Sequence, residues 1–130
     1  VKMVINEITE KIIGLAIRVH SKLGCGFLES VYQSALEYEL KNHCIIYERE
    51  KLMPVLYGDV YLETGFRCDF LVDNQVIVEC KAVKELSSID VAQLLNYLKI
   101  SRLQAGLLIN FNTMQLVNGI KRVVNGYCEN

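Results

Sequence analysis

The sequence contains no tryptophan, a single proline and no apolar run long enough to cross a membrane. A membrane helix needs about 20 apolar residues, and a stretch such as AGLLINF is far too short. The N-terminal segment VKMVINEITEK is charged rather than apolar, so no signal peptide is expected. The five cysteines are odd in number and lack CxxC spacing, which argues against a disulfide framework or a zinc site. We therefore expect a cytoplasmic protein without membrane association, whose thiols are mostly buried and reduced.

Neither sign of charge dominates, since the chain has 15 acidic and 14 basic residues. This balance excludes wrapping of nucleic acid by overall charge, although it permits a local basic groove. The clustered basic candidates are Lys99 with Arg102, and Lys121 with Arg122. The length of 130 residues and the hydrophobic fraction of 52% predict one globular domain that spans residues 1–130.

Helical periodicity predicts three helices. Apolar residues recur every three or four positions from Ile5 to Leu23, and Gly24 provides a C-terminal stop. After the turn GCGF, a second helix is expected from about Leu28 to Lys41. A third helix is expected to reach Ile100, with Ser87 or Ser88 as its N-cap and an aspartate in its first turn.

Between the second and third helices the pattern changes to that of strands. CIIYERE, LMPVLYG and VYLETGF are separated by Pro54 and Gly58, and they predict an antiparallel meander that leads into FRCDFLVDNQVIVECKAV. AGLLINF is typical of a buried strand, and QLVNGIKRVVNGY contains one more strand-like piece. This order of helices and strands predicts an α/β or α+β fold with one mixed sheet.

The segment FRCDFLVDNQVIVECKAV places charged side chains within two otherwise apolar strands. A three-residue turn, DNQ, would pair Val72 with Val76 and bring Asp69 opposite Glu79. Side chains alternate across a strand, so Lys81 shares the face of both carboxylates. The opposite face is apolar and is expected to be the core side; it consists of Cys68, Phe70, Val72, Val76, Val78 and Cys80.

Two carboxylates that face each other repel unless a cation or a shared proton lies between them. Oxygen ligands favour a hard divalent cation, so Asp69 and Glu79 predict a site for Mg²⁺ or Mn²⁺. Lys81 could orient or deprotonate an attacking water, and the chemistry that needs this set is metal-assisted hydrolysis of a phosphodiester. The alternative is a cross-strand salt-bridge ladder with Arg67 and Lys81 on a solvated sheet face. Spacing alone leaves both interpretations open.

Asp69 followed by the triplet ECK at 79–81 resembles the signature of the PD-(D/E)XK nucleases. Gln93 and Tyr97 in QLLNY resemble the QxxxY element of RecB-like members of that superfamily. Upstream, GFLESVY resembles the element that names the GxxExxY protein family, which is placed in the same superfamily. Similarity to that family extends through VHSKLGCGFLESVYQSAL, QLLNYLK and GLLINF, while Cys25 stands where a proline is common.

The resemblance implies a restriction-endonuclease-like α/β fold, with a central mixed sheet flanked by helices, and a metal-dependent nuclease activity on DNA or RNA. The catalytic residues that it implies are Asp69, Glu79, Lys81 and Gln93. The ion, Mg²⁺ or Mn²⁺, would be bound by Asp69, Glu79, the backbone carbonyl of Cys80 and Glu29. The candidates for substrate contacts are Tyr97, Tyr32 and Arg67.

Three residues near these motifs also have structural interpretations. Glu29 lies in the first turn of a helix, where the helix dipole favours a glutamate. Tyr32 is typical of a core tyrosine whose hydroxyl is satisfied internally. His20 lies near the end of the first helix, and we expect it to stabilise that helix end rather than to act in catalysis.

The sequence also fits a function of another class, a catalytically weak or inactive module on a nuclease fold that binds nucleic acid or protein in a complex. The balanced charge motivates this alternative, because a free-standing nuclease usually needs a basic track for backbone phosphates. A homodimer or a larger complex could supply that track by placing short basic patches side by side. The expected partner of the nuclease is a nucleic acid, with DNA and RNA both open, whereas the alternative module could bind nucleic acid or protein.

Overall fold

Three α-helices and seven strands follow one another within residues 3–126, which the computed structural model describes. The helices are α1 (Ile5–Leu23), α2 (Glu29–Asn42) and α3 (Ser88–Ser101), with a short 3₁₀ helix at Leu116–Gly119. The strands are β1 (Tyr47–Met53), β2 (Leu56–Tyr57), β3 (Val60–Tyr61), β4 (Phe66–Val72), β5 (Val76–Lys81), β6 (Ala105–Asn110) and β7 (Ile120–Val124). No helix among the described residues has the length and apolar character needed to span a membrane.

Five of the strands form one mixed sheet in the order β1-β4-β5-β6-β7. Strands β5 and β6 are parallel, whereas the other neighbours are antiparallel. The parallel pair needs a crossover between its strands, and α3 supplies it. This arrangement confirms the expected α/β fold with a central mixed sheet flanked by helices.

Apolar side chains cover both faces of the sheet. Helices α1 and α2 pack on one face, where the buried cluster includes Ile12, Leu36 and Phe70. Helix α3 packs on the other face through Leu94 and Leu98. The face predicted to carry Asp69, Glu79 and Lys81 is therefore also part of the core. Helix α3, which connects β5 to β6, covers it.

Cys68 is the exception to the expected alternation in β4. It packs in the cluster beneath α3 and not with Phe70 on the other face. The pairing of β4 with β1 is interrupted beside it: Arg49 pairs with Phe70 and Lys51 pairs with Cys68, while Glu50 between them has a φ of 55°. The change of face at Cys68 therefore coincides with an irregularity in the neighbouring strand β1.

The predicted meander is wrong. Strands β2 and β3 form a separate two-stranded sheet, and β1 pairs directly with β4. Pro54 follows β1 and cannot donate a ladder hydrogen bond, and both short strands are exposed although their side chains are largely apolar. Gly65 lets the start of β4 approach β1, because a Cβ atom there would collide with the backbone carbonyl of Met53.

The helix ends agree with the sequence signals. Helix α1 ends at Gly24, which has a φ of 72°. Helix α3 begins at a capping box, in which the Asp90 N–H donates to Ser87 Oγ and the Ser87 N–H donates to Asp90 Oδ2, at 3.2 and 2.9 Å. Helix α2 begins at Glu29, so Leu28, the expected first residue, is its N-cap and is exposed.

The cysteines divide between the core and the surface. Cys68 and Cys80 are buried, whereas Cys25 and Cys44 are exposed, so the expectation that most thiols are buried is wrong for the latter two. Both exposed cysteines follow a helix end, where the chain turns at the surface. Cys128 lies outside the described residues.

Candidate active site

The hairpin that carries the two carboxylates has the predicted register. Val72 pairs with Val76 around the turn DNQ, and the pairs continue to Phe70 with Val78. Asp73 and Asn74 adopt left-handed conformations in that turn, with φ values of 52° and 56°. The next positions in this register are Asp69 on β4 and Glu79 on β5.

Beyond Phe70 and Val78, the carboxylates themselves link the two strands. The Asp69 N–H donates to Glu79 Oε2 at 2.9 Å. In the opposite direction, the Cys80 N–H donates to Asp69 Oδ2 at 2.8 Å. Each acidic side chain is therefore held by the backbone of the facing strand, which fixes both carboxylates close together without a surface loop.

Both carboxylates ionise with difficulty in this position. Burial raises the pKa of Glu79 to about 8, and the charge of Asp69 adds to this effect. Burial also raises the pKa of Asp69 to about 6, against the hydrogen bond from the Cys80 N–H, which lowers it. The charge of Glu29 raises both pKa values and that of Lys81 lowers both, which places these two charges near the pair.

The salt-bridge ladder is absent. Among residues 3–126, neither Asp69 nor Glu79 forms a salt bridge with any basic side chain. The Arg67 guanidinium instead donates to the backbone carbonyl of Glu50 at 3.1 Å. Within the same residues, the ammonium of Lys81 has neither an ion pair nor a side-chain hydrogen bond. The acidic pair therefore has no basic side chain in ion-pair contact within residues 3–126.

Glu29 lies in the first turn of α2, where a chain of side-chain hydrogen bonds holds it, and its charge acts on both carboxylates. Gln33 Nε2 donates to Glu29 Oε2 at 3.2 Å, and Gln33 Oε1 accepts from Arg49 Nη2 at 3.3 Å. Arg49 Nη1 in turn donates to Glu37 Oε1 at 2.9 Å. The sequence places Glu29 and Gln33 on one helix face, four positions apart, whereas Arg49 could not be predicted, because its contact joins β1 to α2 and leaves no local signal.

Tyr32 lies in the core and not at the surface. Its ring is fully buried and stacks on Phe111, with centroids 4.6 Å apart. Its hydroxyl donates to the Gly24 carbonyl at 2.6 Å and accepts from the Phe27 N–H at 3.2 Å. We therefore reassign Tyr32 from substrate contact to support of the loop between α1 and α2.

The two residues of the QxxxY element differ in their surroundings. Tyr97 stacks on Phe66 with centroids 3.9 Å apart. Burial raises the pKa of Tyr97, and the charges of Glu79 and Asp69 raise it further, so its hydroxyl lies within their field. Gln93, one turn earlier on α3, is exposed and makes no side-chain hydrogen bond within residues 3–126.

His20 lies in the last turn of α1 as expected, whereas the basic pair on β7 is divided. His20 Nε2 lies 2.7 Å from the Thr113 carbonyl, so its side chain ties the end of α1 to the loop after β6. Lys121 and Arg122 are adjacent in a strand and point to opposite faces. Arg122 donates to Asn6 Oδ1 at 2.7 Å on the α1 side, which divides the predicted basic cluster.

The acidic pair fits a hydrated divalent ion. No group of three His, Cys, Asp or Glu side chains in the described part of the chain converges closely enough to enclose a metal. Asp69 and Glu79 nevertheless present adjoining oxygen donors whose mutual repulsion a cation would relieve. Mg²⁺ binds proteins through one or two carboxylates and keeps several of its waters, and this donor set meets that requirement.

Comparison with known proteins places this geometry in a family. A family model of the PD-(D/E)XK nuclease superfamily matches residues 6–123. The crystal structure of SSO0001 is similar in fold, with a TM-score of 0.57 and 20% identity over 77% of this chain. The match covers 52% of SSO0001, so this chain spans about half of its length. No curated protein matches. The chain belongs to the PD-(D/E)XK nuclease superfamily, whose members generally use divalent metals.

Proposed function

We propose that this protein is a metal-dependent nuclease that hydrolyses phosphodiester bonds of DNA or RNA. The observation that carries the proposal is the pair Asp69 and Glu79, which the backbone of the hairpin holds together although both ionise with difficulty. Such a pair costs folding free energy unless a cation binds it. Perturbed carboxylates of this kind are typical of functional sites.

Asp69 and Glu79 would hold the ion, Mg²⁺ or Mn²⁺, with Glu29 and the Cys80 carbonyl as further oxygen ligands. When bound, the ion would stabilise charge on the phosphate oxygens and make the attacking water more acidic. Glu79 must lose its proton to act as a ligand at neutral pH, since burial raises its pKa to about 8. The fixed hydrogen bonds on both carboxylates orient their free oxygens before any ligand arrives.

Lys81 would act on the reacting groups themselves. It follows Glu79 by two positions in β5, so both side chains lie on the same face of the strand. Its unpaired ammonium can donate to a nonbridging oxygen of the scissile phosphate or orient the attacking water. Hydrolysis adds that water to phosphorus and breaks a P–O ester bond, and the charge that develops on the phosphate favours a fixed cation nearby.

The remaining substrate contacts would come from α3 and from β4. Gln93 is exposed and free to donate to or accept from the substrate, and Tyr97 presents its hydroxyl to the field of the acidic pair. Arg67 is exposed at the start of β4 and offers a positive charge to a phosphate. The segment GFLESVY at 26–32 further supports assignment to the GxxExxY family within the superfamily.

The test is cleavage of short DNA and RNA substrates, single and double stranded, with Mg²⁺ or Mn²⁺ present. Asp69→Asn keeps the acceptor for the Cys80 N–H, and Lys81→Gln keeps a polar side chain, so both variants should fold. We expect each to lose activity by at least about 100-fold. Lys11→Gln, an exposed lysine on α1, is the matched control and should retain activity. Full activity in both site variants would refute the proposal, and a wild-type protein that binds substrate without cleaving it would favour the binding module.

A further inference from the structure

A cleft of about 260 Å³ opens at the carboxyl ends of the parallel strands β5 and β6. Lys84 and Lys121 lie on its walls, together with Asn110 and a single acidic residue, Glu85. Asn110 is the neighbour of Lys81 across the two strands. The cleft therefore begins one strand away from the lysine of the candidate active site.

The register of the sheet places this cleft on the same face as the carboxylates. Glu79 pairs with Leu108 on β6, and Leu108 pairs with Lys121 on β7. These three side chains form one row on the face that α3 covers. Neighbouring strands lie about 4.8 Å apart, so Glu79 and Lys121 are separated by about 10 Å across the sheet. A strand of B-form DNA rises by the same amount over about three nucleotides.

The floor of the cleft is rigid, whereas its basic side chains are free. Asn110 is buried, and its amide group is held by both backbone groups of Val83, at 3.0 and 2.9 Å. Within residues 3–126, neither Lys84 nor Lys121 forms a salt bridge or a side-chain hydrogen bond. The cleft therefore offers two uncompensated ammonium groups against one carboxylate, that of Glu85.

We propose that Lys84 and Lys121 each bind a backbone phosphate of the nucleic acid, about three nucleotides along the strand from the phosphate that lies at Asp69 and Glu79. This inference rests on the proposed function, because it assigns further contacts along its strand to the same substrate. The site supplies a local positive charge that the nearly balanced net charge of the chain does not provide. Both lysines position the substrate and do not touch the reacting bond.

Binding in the absence of cleavage tests the site. Fluorescein-labelled duplex DNA, and RNA of the same sequence, are titrated with protein in the presence of EDTA at several salt concentrations, and anisotropy is recorded. A lysine that neutralises one phosphate contributes about 1 to the slope of log affinity against log salt. We expect Lys84→Gln and Lys121→Gln each to reduce that slope by about 1, and the double variant by about 2. Lys11→Gln, on the opposite side of the sheet, should leave it unchanged.

The outcomes separate this inference from the proposed nuclease activity. Slopes that are equal in wild type and double variant overturn the phosphate site, and so does a wild-type protein that binds neither nucleic acid at low salt. A loss of slope in a protein that never cleaves supports the phosphate site and refutes the nuclease. Comparison of the DNA and RNA titrations shows which of the two backbones the site prefers.

Discussion

Asp69 and Glu79 are joined by reciprocal contacts, because each carboxylate accepts a hydrogen bond from a backbone N–H on the strand of the other. These contacts replace the ordinary ladder at the point where the pairing of β4 with β5 ends. The hairpin thereby holds the buried Glu79 and the half-buried Asp69 side by side, and neither forms a salt bridge among the described residues. A cation bound by one oxygen of each carboxylate would neutralise the negative charge of the pair.

The stability of the metal-free protein should fall as the pH rises. The folded pKa of Glu79 is about 8 and its ordinary value is 4.5, so the folded state binds the extra proton between these limits. The stabilising effect of that proton is fully present below about pH 4.5 and is lost as the pH passes through about 8. Asp69 adds to the decline at the acidic end, since its pKa rises from 3.8 to about 6. Urea unfolding in EDTA across this range measures the decline.

Glu79→Gln should remove most of that pH dependence, because the amide is neutral and can still accept from the Asp69 N–H. Above pH 8 we expect the variant to be more stable than the wild type by about 1–3 kcal/mol. Glu63→Gln, an exposed glutamate without a salt bridge in the described residues, is the control. A wild-type stability that does not change with pH from 4.5 to 8 would contradict the raised pKa.

Gln33→Leu should weaken metal binding although Gln33 lies outside the acidic pair. The change breaks the link from Arg49 to Glu29, and loss of a group that orients a ligand typically costs 10- to 100-fold in affinity. We expect a roughly tenfold weaker affinity for Mn²⁺ by calorimetry. Ser34→Ala is the matched control, since it removes only the 3.4 Å contact to Arg49. Equal Mn²⁺ affinities of the Gln33→Leu and Ser34→Ala variants would show that the hydrogen bond from Gln33 to Glu29 does not contribute to metal binding.

Tyr32→Phe tests the reassignment of that tyrosine. The phenyl ring can still stack on Phe111, but the Gly24 carbonyl and the Phe27 N–H lose their partner. We expect a loss of about 1–2 kcal/mol in the free energy of unfolding. Tyr38→Phe, an exposed tyrosine on the same helix, should cost nothing measurable. If the Tyr32→Phe variant instead kept its stability and bound substrate more weakly, Tyr32 would be a substrate contact and the reassignment would be wrong.

The elements that local signals specify could be predicted from the sequence. Helix α1 has the predicted bounds Ile5–Leu23, since its periodicity is regular and Gly24 terminates it. Turn length and alternation also specify one register for the hairpin, which is why Val72 pairs with Val76 as expected. That register is what brings Asp69 beside Glu79.

Features that depend on distant parts of the chain could not be predicted in the same way. The β2–β3 sheet is separate because β4 pairs with β1. Strand propensities do not determine which two strands pair. Cys68 changes face where the ladder to the neighbouring strand is interrupted at Glu50, and that interruption is not visible in the local pattern of β4. The link from Arg49 through Gln33 to Glu29 likewise exists only after β1 has packed beside α2.

Titration of Mg²⁺ and Mn²⁺ into the wild type and Asp69→Asn tests the central claim most directly. Calorimetry at pH 7 in buffers of different ionisation enthalpy gives both the affinity and the number of protons released. The wild type should bind and release about one proton, because Glu79 carries a proton in the free protein at this pH. Asp69→Asn should bind at least about tenfold more weakly. Equal binding by both proteins, or no binding by the wild type, would contradict the account.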